Sequence, residues 1–258
     1  MHRDFPELAH TWVPGQEPLF LFLHGLGADG RCFRDALDAP GLRGRALLIP
    51  DLGGFGKSPH QEDFSYTMEA QAELVRNLCC RLGAKDLSII GHSMGGAIGI
   101  CLAEMWPGLV THFANAAGNL VPEDCFFSRA LCDMDWDTFE KRGFEEFKAK
   151  IEVESVHSRK SLASYLSTLK RTTADAMYRS SRDLVRLCDE GKLLSRFLSL
   201  SCRKLYLHDV ESEPPPHFME ALRRGGVPIL RIPESGHSLM EDNPSVFYAA
   251  LADFLAVK

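Results

Sequence analysis

Short apolar runs alternate with amphipathic stretches through the first half of the chain. Residues 19–24 (LFLFLH), 46–50 (ALLIP) and 87–91 (LSIIG) are continuous apolar runs, each closed at or just after its end by Gly or Pro. Runs of this length suit strands buried on both faces of a parallel sheet. Between them, residues 66–82 place Met68, Ala72, Val75, Leu78 and Cys79 at helical spacing, with Thr67 as the helix start. Strands alternating with helices predict an α/β protein built on a doubly wound, mostly parallel sheet.

That rhythm breaks after a further apolar run at 110–117. Residues 122–199 carry helical periodicity rich in charge and no strand pattern. Phe139, Phe144, Phe147 and Ile151 recur on one face, as do Leu162, Tyr165, Leu166 and Leu169. Strand-like runs return at 204–208 (KLYLH) and 227–232 (VPILRI), each followed by a predicted helix, at 216–224 and 244–257. The expected division is a core in two parts, 1–121 and 200–258, interrupted by a helical cap at 122–199.

Composition narrows this picture only slightly. A chain of 258 residues can bury one sizeable core plus an insertion. Its formal charge of -6 argues against a nucleic-acid backbone as partner, because phosphate binding needs a basic face. No run has signal-peptide character or reaches bilayer-spanning length, so no membrane partner and a cytoplasmic location are expected. Cys32, Cys79, Cys80, Cys101, Cys125, Cys132, Cys188 and Cys202 are scattered and form no CxxC pair. They read as free thiols, mostly small buried hydrophobes.

The chemistry centres on Gly91-His92-Ser93-Met94-Gly95, a GxSxG between the apolar strand 87–91 and the helical stretch AIGICLAEMW. A serine at a sharp strand-to-helix turn adopts an unfavourable backbone that lifts its hydroxyl above the sheet, and flanking glycines relieve the crowding. Ser93 is therefore the expected nucleophile. His24-Gly25-Leu26-Gly27 follows the first buried strand, where a glycine-rich turn can aim the Leu26 N–H at the serine; with the Met94 N–H it would form an oxyanion hole. His237 lies in PESGHS, after the last apolar run and before the last helix. A loop there lets its imidazole reach Ser93 and exchange a proton near neutrality. His92 and His208 read as structural, and His2, His10 and His60 as exposed.

Taken in order, HGLGAD, DLGGFGKS, GHSMGG and SGHSLMEDNP resemble the α/β-hydrolase family, specifically its cap-bearing branch. The resemblance covers the sheet elements on both sides of the cap. It implies the order serine, acid, histidine, with Ser93 and His237 as nucleophile and base and Leu26 and Met94 at the oxyanion positions. The loop Asp51–Ser58 resembles a structural signature of the family, with Gly53 where Pro is usual, and is assigned no catalysis. One departure matters: the acid normally follows the strand after the cap, and its usual position falls on Ser212. Glu211 is the first candidate, followed by Glu213 and Asp209, each needing a small loop shift. Branches that place the acid before the cap make Glu123 or Asp124 alternatives.

The expected function is hydrolysis of a small apolar carboxylic ester through an acyl-enzyme on Ser93, with a small-molecule substrate and no metal or cofactor. Phe126, Phe127, Trp136, Phe139, Phe144, Phe147 and Tyr165 could wall an apolar pocket, though most read as the cap's own core. Two alternatives remain on the same scaffold: a cofactorless lyase or haloperoxidase-like enzyme, and a non-enzymatic ligand receptor.

Overall fold

The computed structural model describes residues 7–156 and 159–256; His2 therefore lies outside the described residues. Seven strands form one sheet in the order β1-β3-β2-β4-β5-β6-β7. They are β1 (His10–Val13), β2 (Gln16–Leu23), β3 (Arg45–Pro50), β4 (Leu87–His92), β5 (Val110–Ala116), β6 (Arg203–His208) and β7 (Ile229–Arg231). All neighbours are parallel except β1, which pairs antiparallel with β3. The edge strand β1 was not expected: its sequence, HTWV, is too short and half-exposed to show an apolar run. β7 is also shorter than the run 227–232, because Pro228 cannot donate to the ladder.

Alternation along the central strands explains the double winding. Leu19, Leu21 and Leu23 join one apolar cluster, whereas Phe20 and Phe22 join the other on the opposite face. The first face is covered by α1 (Met68–Arg81) and α2 (Met94–Met105), and the second by α11 (Pro244–Ala256). Thr67 caps α1, accepting from the Ala70 N–H at 3.2 Å. Residues 94–103 of α2 are buried all round, which accounts for its small residues.

Between β5 and β6 the described chain is helical: α3 (Phe126–Cys132), α4 (Trp136–Thr138), α5 (Phe144–Ser155), α6 (Lys160–Leu169), α7 (Ala174–Asp189) and α8 (Leu193–Ser199). Its apolar residues, Phe139, Phe144 and Ile151 among them, continue the first cluster. After β6 come α9 (Pro216–Arg224) and, before α11, the single turn α10 (Leu239–Asp242). Among the described residues, no helix is long and apolar enough to cross a membrane.

Candidate active site

Chain order reverses direction across the sheet between β2 and β4: β3 lies on one side of β2, and β4 on the other. A crevice opens at the carboxyl ends of such a strand pair. The glycine turn after β2 and the serine after β4 are thus neighbours by topology, with Leu23 registered on Gly91.

Ser93 has φ 52° and ψ -122°, a backbone that costs a non-glycine residue about 1–3 kcal/mol. The surroundings hold it there: its N–H donates to the Ala116 carbonyl at 3.0 Å, and its carbonyl accepts from the Gly96 N–H at 2.8 Å. A methyl group on Gly95 would overlap the Leu23 carbonyl, and one on Gly91 would lie 2.6 Å from the Gly95 oxygen. Close packing of the turn on β2 demands Gly95, and the tightness of the turn itself demands Gly91. The Ser93 hydroxyl donates to Asn119 Oδ1 at 3.4 Å. Asn119 is anchored in turn through Nδ2, which donates to the Asp124 carbonyl at 2.8 Å. Asn119 lies in no recognisable sequence pattern; only its position just past β5, beside β4, points to it.

Leu26 lines the cavity that holds Ser93 and Met94 begins α2; neither N–H is spent in a turn, loop or side-chain hydrogen bond among the described residues. His24, beside Leu26, is structural. Its Nδ1–H donates to the Gly25 carbonyl at 2.9 Å, and its Nε2 accepts from the Leu52 N–H at 2.9 Å. Burial lowers its pKa and keeps the ring neutral, as this pattern requires. Asp51 is also occupied structurally, accepting from the N–H groups of Gly30 and Lys57, both at 2.8 Å.

His237 lines the same cavity as Ser93, Gly25 and Leu26. Among the described residues no hydrogen bond joins its ring to the Ser93 hydroxyl. The His237 carbonyl accepts from His92 Nε2 at 2.9 Å, and the two rings lie 4.8 Å apart. Burial pushes the His92 pKa down to about 3, so this ring is a neutral brace between the serine turn and the histidine loop. Further bracing comes from the Gly236 N–H, which donates to Asp242 Oδ2 at 2.9 Å, and from the Val210 N–H, which donates to the Ser235 carbonyl at 3.3 Å. His237 keeps accessible surface, yet desolvation by the atoms packed around it lowers its pKa; the charges of Asp209 and then Asp242 oppose that shift.

The carboxylates after β6 separate clearly. Glu211 is exposed and turned to the insertion, where its Oε1 accepts from Arg159 Nε at 3.0 Å and Nη2 at 2.6 Å. Asp209 is 3% exposed, and its carboxylate accepts from the Glu211 N–H at 2.9 Å and the Ser212 hydroxyl at 2.8 Å. Glu213 is exposed. At the start of the insertion, Glu123 faces His217 at 3.8 Å, and Asp124 accepts from the N–H groups of Leu120 and Val121 at 2.8 and 3.0 Å. Desolvation raises the Asp124 pKa to about 6.

The cavity occupies about 920 Å³ between the sheet and the helices of the insertion. Phe126, Phe127, Phe147 and Tyr165 line it, whereas Trp136 and Phe139 pack on Tyr178, and Phe144 on Phe139, in the helical core. His208 is buried away from the cavity lining, stacked on Tyr206. His60 is exposed, as expected, with its Nδ1 2.6 Å from the Tyr66 hydroxyl, whereas His10 is half-buried.

A model of the alpha/beta hydrolase family matches residues 20–251. Among curated proteins, the magnesium-chelatase 30 kDa subunit of Rhodobacter capsulatus is 36% identical over a stretch covering 43% of this chain and 43% of that protein. The mouse sn-1-specific diacylglycerol lipase ABHD11 is 37% identical over 36% of this chain and 30% of its own length. Each match thus spans less than half of the relative. Among solved structures, a thermophilic esterase from Thermogutta terrifontis superposes with a TM-score of 0.77 at 22% identity, covering 96% of this chain and 92% of that one. An esterase from Exiguobacterium antarcticum gives a TM-score of 0.78 at 18% identity, covering 96% and 95%.

Proposed function

Because the chain belongs to the alpha/beta hydrolase family, we propose that it is a serine hydrolase cleaving a small apolar carboxylic ester through an acyl-enzyme on Ser93. The observation carrying this reading is the strained Ser93, set in one cavity with His237, Gly25 and Leu26. The mouse lipase and the two esterases support an ester as substrate.

In this mechanism the Ser93 hydroxyl leaves Asn119, turns to the His237 imidazole and attacks the ester carbonyl. His237 takes the hydroxyl proton, and the N–H groups of Leu26 and Met94 bind the developing oxyanion. Collapse expels the alcohol, which receives the proton from His237. Water, deprotonated by the same imidazole, then attacks the acyl-enzyme, and its breakdown returns the proton to Ser93 and releases the acid.

Asp209, rather than the Glu211 expected from the loop's spacing, is assigned as the orienting acid. Its buried charge is the first of those acting on His237, while Glu211 is held by Arg159. The helices at 122–199 serve as the cap that walls the acyl site.

A fluorophosphonate probe and p-nitrophenyl esters test the proposal. Wild-type protein is expected to be labelled and active, and Ser93→Ala to show neither property. Absence of labelling in folded wild type would refute the hydrolase assignment and favour a receptor on this scaffold.

A further inference from the structure

The helix α6 grips the backbone of the glycine turn that follows β2. The Tyr165 hydroxyl donates to the Leu26 carbonyl at 3.1 Å, and Thr168 Oγ1 lies 2.8 Å from the Gly27 carbonyl. The fit is tight enough to dictate sequence. Gly27 has φ +72°, and a methyl group there would lie 2.7 Å from both the Tyr165 hydroxyl and Leu169 Cδ2. One turn of α6 thus holds the Leu26 carbonyl and sets the Thr168 hydroxyl between the Gly27 carbonyl and the Tyr165 carbonyl, the latter at 2.7 Å.

Its other end reaches the histidine loop. Arg159, the residue just before α6, donates through Nη1 to the Glu234 carbonyl at 2.7 Å and through Nη2 to Glu211 at 2.6 Å. From Arg159 to Thr168 the helix spans roughly 13 Å. A single rigid element therefore touches both the glycine turn and the histidine loop, which line one cavity with Ser93.

We propose that α6 is a splint for the active site, with Tyr165 and Thr168 as positioning residues that hold the Leu26–Gly27 and Gly27–Ala28 peptides and thereby fix the Leu26 N–H just before them in its oxyanion-binding orientation. This rests on the hydrolase reading above. Backbone N–H donors stabilise an oxyanion only when aimed before the charge develops. A turn rich in glycine has many orientations available, and the two hydroxyls select one.

Tyr165→Phe and Thr168→Val remove the hydroxyls while keeping ring and volume. In folded variants, kcat on p-nitrophenyl butyrate is expected to fall about 10- to 100-fold, with KM changed less than about threefold. Affinity for a hexyl trifluoromethyl ketone, whose serine adduct carries an oxyanion, should fall by the same factor. Amide hydrogen exchange at residues 26–28 should quicken. Wild-type kcat in both variants, or a loss confined to KM or melting temperature, would overturn the proposal. If wild type neither hydrolyses esters nor binds the ketone, it is the hydrolase reading that fails, and unchanged exchange at 26–28 in Tyr165→Phe would then reject the splint itself.

Discussion

Asp209 and Glu211 stand two residues apart, yet burial gives their carboxylates different work. A buried charge near an imidazole is poorly screened and stabilises the cation formed during catalysis, whereas an exposed ion pair such as Glu211–Arg159 contributes little. Asp209→Asn is expected to lower kcat by about 10²- to 10⁴-fold, and Glu211→Gln to leave it within about threefold. Steady-state kinetics on one ester decide between them; the reverse ranking would restore Glu211. The pH profile supplies a second check. Desolvation lowers the His237 pKa, so its neutral, basic form persists below the ordinary histidine range, and the acid limb of kcat/KM should lie below about pH 6.5. Since Asp209 raises that pKa, Asp209→Asn should move the limb to lower pH in whatever activity remains.

At the scale of elements, the contact between α6 and α10 contains a buried carboxyl. Glu241 Oε1 has no hydrogen-bond partner, and burial raises its pKa to about 7 against the opposing effect of Ser164. Its contribution to stability is fully present below the unfolded value near 4.5 and is lost as pH rises through about 7. Glu241→Gln cannot ionise, so it should melt with wild type at pH 5 and at a higher temperature at pH 8.5. Equal melting temperatures at both pH values would show that the carboxyl is solvated. The junction of α2 with β2 is less forgiving. Gly95→Ala must push the Leu23 carbonyl aside, costing about 1–3 kcal/mol or more in a denaturant titration and displacing the serine turn.

On the scale of the molecule, the cavity lies between a rigid sheet and a helical wall, so its reach depends on residues far apart in sequence. Leu131 of α3, Ile151 of α5 and Leu162 of α6 meet Ala28 and Met240 from the core in the same lining. Ile151→Trp should fill part of this space and shift the best p-nitrophenyl ester to a shorter acyl chain. An unchanged chain-length profile would place the acyl group elsewhere.

Strands and helices were legible because their patterns are local. The runs at 19–24, 46–50 and 87–91 locate β2, β3 and β4, since a strand buried on both faces must be apolar throughout. The serine turn was readable for a related reason: Ser93 and its glycines answer a steric demand contained within five residues. β1 escaped notice because an edge strand exposes half its side chains, and Asn119 because it belongs to no spacing rule. Sequence therefore determined the sheet, the strained serine and the loop histidine. Only the folded chain decided which carboxylate after β6 is buried and which helix holds the glycine turn, because burial and long-range contact follow from packing between segments distant in sequence, as Tyr165 is from Leu26.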